Sequence, residues 1–390
     1  MGRERIDAVL RRGIETGRLA GVVAVAATER GVLYEGAFGR RSVTSDDAMT
    51  LDTVFWIASM TKALTTAAAL QLVERGKLSL HAPAGDLLPE LRAPEVLEGF
   101  DAGGAPRLRP ARGPVTLHHL LTHTSGFTYP MWNADHARYA AVAGLPDLGS
   151  CRKAALLAPL AFDPGTRWAY GIGLDWAGLM VERASGQRLD SYLRHHVLTP
   201  LGMADTGFVA RDDWNGRLAG MHARQPDGSL KAIDFRMPAE PEVFMGGGGL
   251  YATAPDYLRF CRAIMHGGLF DGSAILSPAS VASMCRDQIA PISVERLRTA
   301  DAALSNDAEF FPGIPKGWSY GFMTNGYPTP TGRSAGGLSW AGLANTYVWI
   351  DPVRKVTGVI LMQLLPFADE PALETYESYE TAANELARSV

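Results

Sequence analysis

The chain has 390 residues, enough for one large core or two domains. Apolar residues make up 47% and charged residues 20%, a balance that excludes a disordered or fibrous protein. With 37 basic against 41 acidic residues, a formal charge of -4 and no dense Lys/Arg cluster, nothing attracts a polyanion, so nucleic acid is not an expected partner.

Ile6, Val9, Leu10 and Ile14 recur on one side of a first predicted helix, which Gly17 and Gly21 bring to an end. That opening stretch, MGRERIDAVLRRGIETGRLAG, carries charges throughout and reads as a surface helix rather than a signal peptide. GVVAVAAT and VLYEGAFG follow as two strands of a hairpin that turns at ERG. A second helix is predicted from near Ser59 to Gly76, its C-cap. Ala63, Leu64, Ala67, Ala68, Leu70 and Leu72 wrap around much of its circumference, so it is buried on most sides.

From 80 to 240 the texture changes. The helical pieces LHHLLTH, CRKAALLAPLA and GLDWAGLMVERASG alternate with Pro/Gly-rich loops, the richest being 98–114, and strand patterns are scarce. Strands return late: ANTYVWIDP and KVTGVILMQLLP flank the turn DPVRK as a hairpin, and 371–390 is helix-like. Both ends of the chain can therefore enter one antiparallel sheet. The predicted domains are 1–78 with 241–390 around that sheet, and a mostly helical 79–240, with the active site in the cleft between them. Loops 127–150 and 295–320 are expected to set the size of the pocket.

The longest apolar runs fall well short of a membrane span, so no membrane partner is expected and a cytoplasmic location is. Cys151, Cys261 and Cys285 lie far apart in no metal or disulfide spacing and read as buried or half-buried thiols. No cofactor and no metal are expected. Nothing in the sequence selects a monomer over a homo-oligomer.

The second helix opens with Ser59 and, three residues on, Lys62, which share a helix face. A serine hydroxyl becomes a nucleophile when a base removes its proton, and a lysine serves as that base when apolar burial lowers its proton affinity. Ile57, Ala58, Met60, Ala63 and Leu64 supply such surroundings. The competing reading is an N-cap serine beside a snorkelling lysine. The spacing alone is not selective, because Ser150 and Lys153 share it in a less apolar setting.

Other patterns dissolve on inspection. Gly332-Arg333-Ser334-Ala335-Gly336 fits the nucleophile elbow of another hydrolase fold, but that elbow needs a strand before it and a helix after it. Here YPTPT precedes and GLSWAG follows, so Ser334 is set aside. His118, His119 and His123 lack the glutamate of a zinc helix and read as packing beside the turn at Thr124-Ser125-Gly126. The run Gly246 to Gly249 is no phosphate loop and reads as a place of close backbone approach near the cleft.

IASMTKALT and the buried helix after it resemble the serine beta-lactamase and penicillin-binding-protein superfamily. LHHLLTHTSGF, FDPGTRWAYGIGLDWAGLMVERASGQRL, PLGMADTGF and GGGGLYATAPDYLRF resemble its class C members and related esterases, and LSWAGLANTYVWIDP resembles the third motif of family VIII carboxylesterases. The matches run in order through about residues 10 to 365. The resemblance implies an α+β fold of the beta-lactamase/transpeptidase type, an α/β sandwich whose antiparallel sheet is flanked by helices, with a helical domain added. It implies Ser59 as nucleophile, Lys62 as general base and Tyr170 as proton-transfer partner. Trp340-Ala341-Gly342 takes the place of a Lys-Thr-Gly motif, and Leu343 supplies a backbone N–H to an oxyanion hole shared with Ser59.

Two departures matter. The tyrosine motif reads Tyr170-Gly171-Ile172 where many beta-lactamases carry Tyr-x-Asn, and Trp340 stands where a lysine would hold a lactam carboxylate. Both point to an ester rather than a lactam. Phe127, Tyr129, Trp132, Trp168 and Trp318, with Trp340 and Gly342, are expected to line the pocket. The expected function is a serine carboxylesterase (EC 3.1.1.-) hydrolysing short-chain esters of small molecules through an acyl-serine. The alternatives are an acyltransferase using the same acyl-enzyme, a weak beta-lactamase or D-peptidase, and a non-catalytic binding module.

Overall fold

The computed structural model describes residues 2–389, so Val390, the last residue of the expected C-terminal helix, lies outside the described residues. Helix α1 (Gly2–Glu15) buries Ile6 and Leu10 as its spacing predicts. Strands β1 (Gly21–Thr28) and β2 (Gly31–Gly39) form the N-terminal hairpin. Helices α2 (Thr61–Glu74), α3 (Leu117–Thr122), α4 (Ala134–Ala143), α5 (Gly173–Ser185), α6 (Leu189–Leu193), α7 (Ala254–Met265) and α8 (Pro278–Cys285) follow. Then come β3 (Lys316–Trp318), β4 (Met323–Asn325), β5 (Leu338–Gly342), β6 (Thr346–Asp351), β7 (Val356–Leu361) and helix α9 (Glu370–Ala387).

The seven strands make one antiparallel sheet in the order β3-β4-β5-β6-β7-β1-β2. The N-terminal hairpin thus extends the C-terminal meander, joined where Val25 faces Val359. β1, β6 and β7 are buried on both faces apart from Thr28, which half-emerges, so helices must cover each side. α1 and α9 cover one: Tyr376 stacks on Tyr347 at 4.5 Å, and Tyr379 meets Trp349 edge-on at 5.3 Å. α7 packs on β1 and β7 from the other. α2 is buried from Thr61 to Leu72 and packs against α5 and α6. Among the described residues no helix is long and apolar enough to cross a membrane.

Three local readings change. Loop 98–114 contains most of a hairpin, Glu95–Phe100 with Pro106–Pro110. The Gly/Pro/Arg composition had masked its short apolar pair, Val96 and Leu97, which are buried, while Arg109 makes a two-pronged pair with Asp163 at 2.8 and 2.9 Å. CRKAALLAPLA forms a 3₁₀ turn, Lys153–Leu156, and no α-helix. Its end is recruited as extended chain, Leu160 exchanging backbone bonds with Glu95 and Leu97, so tertiary pairing overrides helix propensity. A second unforeseen hairpin, Met221–Arg224 with Leu230–Ile233, pairs in parallel with Leu364–Leu365.

The Gly332–Gly336 stretch is structural, as its context predicts. The buried Arg333 guanidinium donates to both oxygens of the buried Glu380 on α9, at 2.8 and 3.0 Å, and the Ser334 N–H donates to Asp351 Oδ2 at 2.7 Å. Replacing Glu380 by Ala leaves a buried cation unpaired. It should cost about 3–5 kcal/mol in denaturant unfolding.

Candidate active site

Ser59 sits in a 3₁₀ turn, Ala58–Met60, that runs into α2. The turn is tightly held and strained. Ala58 has φ +44°, which a side chain rarely adopts, and the Ile57 N–H donates to Leu250 C=O at 3.0 Å. The sheet edge comes up against it. β4 pairs with β5 only at Leu338 and Ser339, so Trp340 to Gly342 are paired on the β6 side alone. At Gly342 a Cβ would stand 2.3 Å from the Ile57 carbonyl oxygen, so only glycine lets the edge reach the serine turn. Leu343, the next residue, lines the same cavity as Ser59.

Lys62 is fully buried. Its Nζ lies 3.1 Å from Ser59 Oγ, 3.0 Å from Tyr129 OH and 2.5 Å from the Gly247 carbonyl oxygen. The carbonyl can only accept, so one N–H is committed to Gly247. In the neutral amine a second N–H reaches the Tyr129 oxygen and the lone pair remains for the Ser59 hydroxyl. Burial lowers the lysine's proton affinity from 10.5 to about 7, opposed by the Asp175 carboxylate. This is the electrostatic condition for a lysine base.

Tyr170, just ahead of α5, is also buried, and burial pushes its phenol well up, opposed by hydrogen bonding with Ser59 and Trp340. It is therefore held as a protonated phenol, a donor. The Trp340 indole N–H donates to its oxygen at 2.9 Å. So Trp340 is no wall of the substrate space as expected: it is buried and places a neutral donor on the tyrosine. His123 ends α3 in a left-handed conformation and packs its ring 4.6 Å from Tyr170, while His119 closes a capping box with Thr116. These contacts account for two of the three histidines of that stretch; His118 bonds Tyr320 at 2.8 Å.

Ser59 opens on an apolar cavity of about 770 Å³. Its wall comes from Trp56 and the serine turn, from 128–149 including α4, from Phe235 and Met237, from Met245 and the Gly247–Gly248 pair, and from 300–304. Tyr129 and Trp132 line it as expected. Phe127, Trp168, Trp318, Trp340 and Gly342 do not, Trp340 being turned to Tyr170 and Gly342 being closed against the Ile57 carbonyl. Phe127 stacks on Trp176 at 5.9 Å, and Trp168 and Trp318 form an aromatic layer behind Tyr170 at 6.3 and 6.1 Å. Their bulk is spent on holding the tyrosine rather than on touching substrate, the ordinary fate of a buried aromatic.

Three participants escaped the sequence reading in their present roles. Tyr129 touches the lysine directly rather than serving only as wall. Gly247 carries the lysine's carbonyl acceptor. Asp175 is a buried acid on the inner face of α5 whose Oδ1 accepts from the Gly247 N–H at 2.7 Å. An acid in the apolar run GLDWAGLM was the available signal for the last.

The fold and this buried serine–lysine–tyrosine cluster define an acyl-enzyme protein of the beta-lactamase type. Residues 6–382 match the Beta-lactamase family, and the chain belongs to it. It is 33% identical to Monacolin J acid methylbutanoyltransferase of Aspergillus terreus, over 97% of this chain and 94% of that protein. It is 31% identical to Esterase EstB of Burkholderia gladioli, over 92% and 89% of the two. The solved Simvastatin Synthase of Aspergillus terreus superposes with a TM-score of 0.87 at 31% identity, covering 99% of this chain and 97% of that one. Within the family the chain stands with the acyl-enzyme hydrolases and acyltransferases related to family VIII esterases.

Lys62 serving as base would make the rate pH-dependent in a defined sense, because the protonated amine cannot accept a proton. The kcat/KM for p-nitrophenyl butyrate should rise with pH through the neutral region and level off well below the ordinary lysine value. A profile still rising above pH ~10 would show the lysine unperturbed. Trp340→Phe keeps an aromatic ring but removes the donor to Tyr170. It should lower kcat by roughly ten-fold, the loss of one hydrogen bond, with little change in KM.

Proposed function

We propose that this chain transfers a short acyl group from an activated ester to a bulky neutral alcohol, with water as the competing acceptor. The cavity at Ser59 carries this reading: about 770 Å³ is far more room than a short acyl chain fills, and it matches a drug-sized molecule. Its charged lining side chains, Asp147, Asp175 and Asp301, are acidic, which favours a neutral acceptor over an anion. The methylbutanoyltransferase likeness supports transfer over plain hydrolysis. The EstB likeness keeps ester hydrolysis as the second reading, since both share the first half-reaction.

In this mechanism Ser59 Oγ attacks the ester carbonyl as Lys62 Nζ takes its proton. The N–H groups of Ser59 and Leu343 receive the oxyanion. Tyr170, a protonated phenol, passes a proton to the departing alkoxide and is resupplied from Lys62. The acceptor hydroxyl then attacks the acyl-Ser59, with the proton returning by the reverse route. Trp340 and Ile172 leave the site without the ammonium and amide that would grip a lactam, so an ester fits it better.

Partition decides between acceptors. With p-nitrophenyl butyrate and a polycyclic secondary alcohol, mass spectrometry should detect the new butyrate ester as the main product, and Ser59→Ala should abolish both products. Butyric acid as sole product across a graded series of alcohols would assign the protein to hydrolysis.

A further inference from the structure

The mechanism above leaves one buried charge unused. Asp175 is 1% exposed. Its Oδ1 accepts from the Gly247 N–H at 2.7 Å, and its Oδ2 is buried with no hydrogen-bond partner. The other buried acids are provided for: Glu380 and Asp369 have a cation in contact, Arg333 and Arg224, while Asp351 and Asp256 each accept two or more hydrogen bonds. An ionised carboxylate without such a partner costs several kcal/mol to bury, so its place needs a reason.

The Gly247 peptide supplies the geometry. Its N–H faces Asp175 and its carbonyl faces Lys62 Nζ, so one peptide unit lies between the two groups. A Cβ at Gly247 would stand 2.7 Å from Asp175 Oδ2, so glycine is what permits this approach. We propose that Asp175 is a positioning residue for Lys62: it holds the ammonium that forms when the lysine takes the proton of Ser59, while the Gly247 peptide prevents direct contact and leaves the lysine free to give that proton up. The inference rests on Lys62 being the base in the proposed mechanism.

The proton count closes. The Ser59 Oγ–C bond forms as its proton moves to Nζ, and the carbonyl electron pair moves to oxygen. The proton then leaves Nζ by way of Tyr170 for the departing oxygen as the C–O bond breaks. Asp175 keeps none. A contact ion pair would trap the proton on the lysine, and no acid at all would leave the ammonium unsupported.

The neighbours leave this as the charge pair of the site. Lys62 faces Ser59 on its own turn, Tyr129 and His123 from the segment after α3, Tyr170 ahead of α5, and Asp175 on α5. Asp175 faces Lys62, Tyr129, Tyr170 and Cys151. Burial keeps both phenols, the thiol and the His123 ring in their neutral forms, and raises Asp175 to about 6, opposed by Lys62 and the Gly247 N–H, so the acid is ionised over the upper part of the Lys62 limb.

Asp175→Asn tests the assignment, because its amide oxygen can still accept from Gly247 while the charge is gone. The carboxylate raises the proton affinity of Lys62; without it, the acid limb of kcat/KM for p-nitrophenyl butyrate should move to lower pH by about one unit. The plateau should fall roughly ten-fold as the nascent ammonium loses its partner. Asp175→Glu, which keeps the charge, should hold the limb near its wild-type position. Stoichiometric labelling of Ser59 by a fluorophosphonate reports folded protein; if the Asn variant is not recovered folded, Asp175→Ser is read in the same way. A folded variant whose limb stays in place, or moves to higher pH, overturns the proposal. p-Nitrophenol release reads acylation whichever acceptor completes turnover, so failure here is distinct from failure of the transferase reading.

Discussion

An amine without water is the constraint around which this protein is built. Lys62 lies inside a helix buried from Thr61 to Leu72, and a full ammonium there would be costly. The protein resolves this with three oxygens on Nζ, from Ser59, Tyr129 and Gly247, and with one carboxylate kept a peptide unit away. Each donor of a neutral amine has a receiver, and the lone pair has the serine. Dryness and proton acceptance are thus one property: the burial that disfavours the ammonium leaves a neutral amine with a free lone pair near neutral pH.

Holding that arrangement requires elements from distant parts of the chain. α2 needs α5 on one flank, the Gly246–Gly249 run on another, and the open edge of β5 above its serine turn. The sheet that supplies the edge is closed by strands from both ends of the sequence, with α1 and α9 on one face and α7 on the other. Strain at Ala58 and the absence of a side chain at Gly342 belong to the same close approach of a backbone strand to a backbone turn.

Replacing a lysine motif by Trp340 changes the chemistry in two ways. The position loses a charge that would hold an anion and gains an indole N–H that bonds the Tyr170 oxygen. The aromatic layer of Trp168, Trp318 and His123 then has a clear purpose. It packs around a phenol kept protonated by burial, while the substrate space opens on the other side of Ser59, toward Trp56, Tyr129 and Trp132.

The sequence by itself determined the broad architecture and the class of chemistry, an acyl-enzyme of the beta-lactamase type. Ser59, Lys62 and Tyr170 stood out because the segments that carry them follow in the family's order, and the structure brings the three side chains together; the two hairpins stood out by their strand patterns and the buried helix by apolar residues all round it. The decoy Ser334 could be set aside from its flanks alone. Only the tertiary structure decided the rest. It turned CRKAALLAPLA into a 3₁₀ turn and extended chain, since pairing with Glu95 and Leu97 outweighs local propensity. It sorted the aromatics, placing Tyr129 on the lysine, Trp168 and Trp318 against Tyr170 and Phe127 on Trp176, because burial tells an aromatic to be inside but not which surface it shares. And it brought Asp175, more than a hundred residues along the chain, to face Lys62, a proximity that no local spacing encodes.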